Sequence, residues 1–294
     1  MSNRNQSKRA LMWIRDGVLI NRMPINAVAF AYAYFLSSSP AERRSINVTD
    51  LVNFAFAKSG ISCVEKMTLM RASRQSSAFV EGATRLYNEI ASEAGISAKY
   101  FDGVLDLLTW LQSQQIESFI TSAVEQEVLD TWAAGEQGQL LCGQPKLIAE
   151  ILGRRPQFCK GQDHFRYVSE WHGQSDPLKQ TMANIYYVAD AVSEIKQGGE
   201  FSNEFSIVPI GFANLIESKH VLTAASIVSL ATRQIVAAQE IAFPFLDEEL
   251  TIDYGKLQLP SQSVLETSLL EAGAKYVVRD FTELRAVLAA VVEK

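Results

Sequence analysis

Apolar positions follow a helical period between residues 24 and 100 and gather into short strand-like runs elsewhere. Ile25, Val28, Ala29, Tyr32, Phe35 and Leu36 share one helix face, and Ser37-Ser38-Ser39-Pro40 ends that helix. Thr49 is the expected N-cap of a helix over 50–58, with Gly60 as its stop. Ser62 is expected to cap the next. A last helix over 76–94 turns Phe79, Leu86, Tyr87 and Ile90 inward and closes at Gly95. No strand pattern interrupts this region. Outside it, 10–13, 119–120, 185–188, 206–210 and 275–278 are strand candidates separated by helical stretches such as 105–111. That alternation predicts parallel βαβ units in a doubly wound, mainly parallel α/β sheet of Rossmann type. Ligands of such sheets bind beyond the carboxyl ends of the strands.

Two stretches find no place in the pattern. Residues 135–176 are one. The other is about 216–262, whose apolar part, 221–243, is broken by Thr223, Arg233, Gln234, Gln239 and Glu240. It reads either as an extra amphipathic helix on the core or as a surface for a partner.

A chain of 294 residues exceeds the ~100–200 residues of one domain, which predicts a core plus a second module. The composition, 48% hydrophobic and 20% charged, suits a globular protein with a large core. The net charge of −6 is spread without a basic block, which argues against nucleic acid or anionic membrane as a partner. The polar, basic stretch 1–9 lacks the apolar core of a signal peptide, and no apolar run of ~18 residues predicts a membrane span. Cys63, Cys142 and Cys159 are odd in number and widely spaced. They are expected to be buried thiols of a cytoplasmic protein rather than disulfides or zinc ligands.

The chemistry concentrates at the predicted strand ends. Trp13-Ile14-Arg15-Asp16-Gly17-Val18-Leu19 joins an apolar strand to an Asp-Gly loop. Phe101-Asp102-Gly103-Val104 introduces an amphipathic helix, and Ile116-Glu117-Ser118-Phe119-Ile120-Thr121-Ser122 is a strand ending in hydroxyls. Tyr186-Tyr187-Val188-Ala189-Asp190-Ala191-Val192-Ser193-Glu194 sets two acids four apart after a strand, and 271–284 supplies a closing strand and helix. In this order the segments resemble the motifs of the haloacid dehalogenase superfamily over nearly the whole chain. The departures are specific. The family's first motif begins with a nucleophilic Asp where this chain has Ile14. Ala189 stands for a Gly, and Glu194 for the usual second Asp.

The resemblance implies a core of 1–21 and 100–294, with the insert at about 216–262, and a helical cap at 22–99. It implies that Asp16 acts as general acid/base and offers magnesium its carbonyl, although Asp16 also reads as the cap of its own Asp-Gly turn. Thr121 and Ser122 would bind phosphate at the N-terminus of a helix beginning at Ala123, which they would also cap. Lys160, in preference to Lys179, would neutralise the phosphoryl oxygens. Asp190 and Glu194 would be the magnesium acids. With Ile14 one hard ligand and the covalent nucleophile are lost together, so magnesium binding is expected to be weak or absent. The leading reading is a protein that binds a phosphorylated small molecule or a protein partner. The alternative is a magnesium-dependent hydrolase, a phosphatase or dehalogenase-like enzyme, that uses Asp16. His164, His172 and His220 read as loop histidines. There is no Gly-x-Ser-x-Gly, P-loop or dinucleotide fingerprint.

Overall fold

The computed structural model describes residues 9–70, 77–95, 100–171, 184–213, 252–258 and 261–292. The chain divides into two compact units, one of 1–20, 100–215 and 262–294, the other of 21–99 and 216–261.

The first unit is built on six parallel strands: β1 (Arg9–Ile14), β2 (Glu117–Glu125), β3 (Glu150–Arg154), β4 (Asn184–Ala189), β5 (Ile207–Phe212) and β6 (Tyr276–Val278), in the order β3-β2-β1-β4-β5-β6. The sheet is doubly wound. β1 is central because it is apolar throughout: Ala10 to Trp13 are fully buried, as a strand covered on both faces must be. Ile14 pairs in register with Thr121 on β2, and Trp13 with Val188 on β4. The strand order therefore reverses at β1, where an open α/β sheet forms its crevice.

Eight helices of this unit are described: α6 (Val104–Ser113), α7 (Gln126–Ala134), α8 (Glu136–Cys142), α9 (Gln162–Ser169), α10 (Val192–Glu200), α11 (Ser202–Phe205), α12 (Gln262–Glu271) and α13 (Phe281–Val292). Residues 135–176, unplaced in the sequence, supply α8, β3 and α9. β3 escapes the pattern because it is short and ends Leu152-Gly153-Arg154. Gly153 is required there: a Cβ would stand 2.8 Å from Gln126 Cα and from Leu129 Cδ1 on α7.

The described part of the second unit is helical: α1 (Met23–Ser37), α2 (Pro40–Arg43), α3 (Val48–Ala57), α4 (Cys63–Met70) and α5 (Ser77–Gly95), with a short 3-10 turn at Tyr254–Lys256. α1 packs on α3 and α5 and is buried from Met23 to Phe35 except at Asn26. Such a helix is apolar around its whole circumference, not on one stripe. Ser62 caps α4 as expected, accepting from Glu65 N while Glu65 reaches back to Ser62 N at 3.0 Å. The cap of α3 differs. Asn47 accepts from Thr49 N at 3.0 Å, and the Thr49 hydroxyl accepts instead from Asp253 N at 2.9 Å. Of the inward positions expected on α5, Ile90 is buried, and Phe79, Leu86 and Tyr87 are half-buried.

Residues 252–258 hydrogen-bond to α3: Asn53 donates to the Lys256 carbonyl at 3.0 Å and accepts from Gln258 N at 2.8 Å. The apolar stretch 221–243 lies outside the described residues, as do Lys179, His172 and His220. The three cysteines are free thiols but not the buried ones expected: Cys63 and Cys142 are half-buried and Cys159 is exposed. Among the described residues no helix is long and apolar enough to cross a membrane.

Candidate functional site

β1 ends at Ile14, which is 5% exposed, and the chain then folds into a tight turn. Gly17 N donates to the Ile20 carbonyl at 2.8 Å, and Leu19 N and Ile20 N both donate to the Arg15 carbonyl. Gly17 has φ +92°, and a Cβ there would lie 2.1 Å from Asp190 Oδ2. The turn after β1 and the acid after β4 therefore touch, and only glycine fits between them.

The Asp16 carboxylate is held from its own neighbour. Arg15 Nε donates to Asp16 Oδ1 at 2.7 Å and Nη2 to Oδ2 at 3.3 Å, a fork-to-fork pair. The guanidinium is 2% exposed and sits 5.2 Å from the centroid of the Trp132 ring on α7, so burial and the ring face reinforce the pairing.

Across β1, β4 delivers Asp190, and the first turn of α10 delivers Glu194. Both are buried, at 3% and 4% exposure. Lys160, just before the N-cap of α9, donates to Glu194 Oε1. Asp190 Oδ2 and Glu194 Oε2 are buried without a hydrogen-bond partner among the described residues. Burial, then the adjacent Glu194 charge, pushes the Asp190 carboxyl well above the usual carboxylate range and favours its protonated form.

β2 runs on through Thr121 and Ser122 to Glu125, and its helix, α7, starts only at Gln126. Thr121 and Ser122 are thus strand residues. They do not form the helix N-terminus expected at Ala123. Ser122 Oγ accepts from Val124 N at 3.2 Å. Thr121 Oγ1 lies 2.6 Å from His164 Nδ1, and His164 Nε2 lies 3.2 Å from the Gly153 carbonyl. A carbonyl only accepts, so Nε2 carries the proton, Nδ1 accepts, and the Thr121 hydroxyl is the donor. His164 is fully buried on α9 rather than on a loop. Burial pushes its pKa down to about 4.

The structure thus gathers Asp16, Asp190, Glu194 and Lys160 around the turn after β1, with Thr121 in register beside Ile14. Arg15 and His164 are additions that sequence reasoning missed. Arg15 gave no signal, since a charged residue after a strand reads as solvated. For His164 a signal existed: His164, Phe165 and Val168 form the buried face of α9.

Magnesium needs hard oxygen donors in a near-octahedral array. The Ile14 side chain provides none, and Glu194 accepts from Lys160. Among the described residues no group of three His, Cys, Asp or Glu is arranged to hold a metal ion. The donor set does not fit the ion.

No protein-family model matches the sequence, and no curated protein does. Solved structures do. A predicted phosphatase from Clostridium acetobutylicum superposes with a TM-score of 0.58 at 13% identity, covering 97% of this chain and 100% of its own. The fold is haloacid dehalogenase-like. A haloacid dehalogenase-like family hydrolase from Streptococcus pneumoniae (TM-score 0.56, 14% identity) and a haloacid dehalogenase-like protein from Agrobacterium tumefaciens (TM-score 0.54, 15% identity) each cover 96% of this chain and 98% of their own. In this haloacid dehalogenase-like fold the reversal of strand order at β1 sets Ile14, Thr121 and Asp190 at adjacent strand ends.

Proposed function

We propose that this chain is a haloacid dehalogenase-like protein that binds a phosphorylated small molecule or a protein partner and does not hydrolyse phosphomonoesters by the family's covalent route. The observation that carries this reading is Ile14 at the end of β1, two residues before Asp16 and in register with Thr121. An alkyl side chain cannot attack phosphorus, and the route through a covalent intermediate is lost with it. Two further features support it. The Asp16 carboxylate is engaged by Arg15 instead of facing a reactant alone, and the Thr121 proton is given to His164.

A second reading is a hydrolase in which Asp16 activates water directly. It is favoured by the names of the similar structures, a phosphatase and a hydrolase among them. A panel of phosphomonoesters with magnesium separates the two. Turnover that Asp16→Asn abolishes establishes the hydrolase, and ligand binding without turnover establishes the first reading.

A further inference from the structure

Two acids beside the turn after β1 each carry a basic side chain of this chain. Asp16 is forked to Arg15, and Glu194 is paired with Lys160. Neither pair is a surface pair. The side chains of Arg15 and Glu194 are 2% and 5% exposed, and those of Lys160 and Asp16 are 12% and 19%. Lys160 also acts electrostatically on Asp190, though less than the Glu194 charge does. Among the described residues Asp190 Oδ2 and Glu194 Oε2 are buried without a hydrogen-bond partner.

We propose that the Lys160 ammonium, paired with Glu194, stands in the crevice for the divalent cation, so that the crevice keeps its form without metal. A magnesium ion on Glu194 would have to displace Lys160 and then stand beside it, and like charges at that distance repel strongly where water is scarce. The Lys160 ammonium balances the Glu194 carboxylate by direct contact, whereas a magnesium ion there would want several waters as well. This inference holds whether or not the protein turns over a substrate, because it concerns cation binding alone.

The test is metal affinity of the full chain, read by magnesium calorimetry and by manganese electron paramagnetic resonance, in wild type, Lys160→Met and Glu194→Gln. The wild type should bind neither ion tightly, and Glu194→Gln should not change that. Lys160→Met, which leaves Asp190 and Glu194 without their cation, should gain affinity by roughly tenfold or more and be stabilised against heat by magnesium. A wild-type manganese site of submillimolar affinity that Glu194→Gln removes would overturn the proposal, whatever becomes of the lysine variant. A folded Lys160→Met with wild-type affinity would overturn it too. If Lys160→Met folds only when magnesium is added, the metal has taken the place of the ammonium, which supports the proposal.

Discussion

The Thr121 hydroxyl donates to His164 Nδ1 across 2.6 Å, joining the end of β2 to the buried face of α9. The imidazole is neutral and satisfied at both nitrogens. Its folded pKa of about 4 lies below the ordinary 6.5. A depressed folded pKa contributes stability above the unfolded value, and that stability is lost as pH falls from about 6.5 through about 4. The shift corresponds to at most ~3 kcal/mol. Urea denaturation of wild type and His164→Gln at neutral pH and near pH 4.5 should therefore show the wild type losing more stability on acidification. Equal losses would remove His164 from the account.

The same bond predicts a hydroxyl requirement at position 121. Thr121→Val leaves His164 Nδ1 buried without a donor and should cost about 1–3 kcal/mol, whereas Thr121→Ser should cost much less. Denaturation midpoints of the two variants measure the difference.

Gly17 is the second constraint. Its positive φ and the 2.1 Å approach of a Cβ to Asp190 Oδ2 act together. Gly17→Ala should destabilise the protein by more than about 1 kcal/mol. Adding Asp190→Ala should recover the steric part and leave the backbone part, so the two changes will not be additive. Thermal denaturation of the four proteins of the cycle reads this directly.

The Lys160–Glu194 pair should show the asymmetry of buried ion pairs. Removing one partner strands the other and costs ~3–5 kcal/mol, while removing both is much milder. Lys160→Met should therefore be less stable than Lys160→Met/Glu194→Gln in metal-free buffer. A double variant no better than the single one would mean that the pair is not coupled.

The parallel sheet was legible in the sequence because its strands are buried on both faces and read as short apolar runs, as in 10–13 and 185–188. β3 was not, since five residues ending in glycine and arginine resemble a loop until α7 closes on Gly153. Asp16, Lys160, Asp190 and Glu194 were named from their motifs, and they stand around one turn. Their pairing was not legible. Whether Glu194 faces a metal ion or a lysine depends on how the loop before α9 meets α10, two segments 34 residues apart in the chain. Local periodicity carries nothing about that meeting. The end of β2 is hidden for a similar reason: hydroxyls suggest a cap, but strand pairing with β3 extends through Thr121 and delays the helix.

The proposed function turns on whether the crevice holds a nucleophile. The most direct measurement is a single-turnover reaction with wild-type protein in excess over a reactive phosphomonoester and magnesium present. It is quenched in acid and read for released phosphate and for a phosphoryl adduct on the intact protein. With Ile14 at the end of β1, neither should rise above the rate in buffer alone. An adduct within the first strand and its turn, or phosphate release that Asp16→Asn abolishes, would contradict the account.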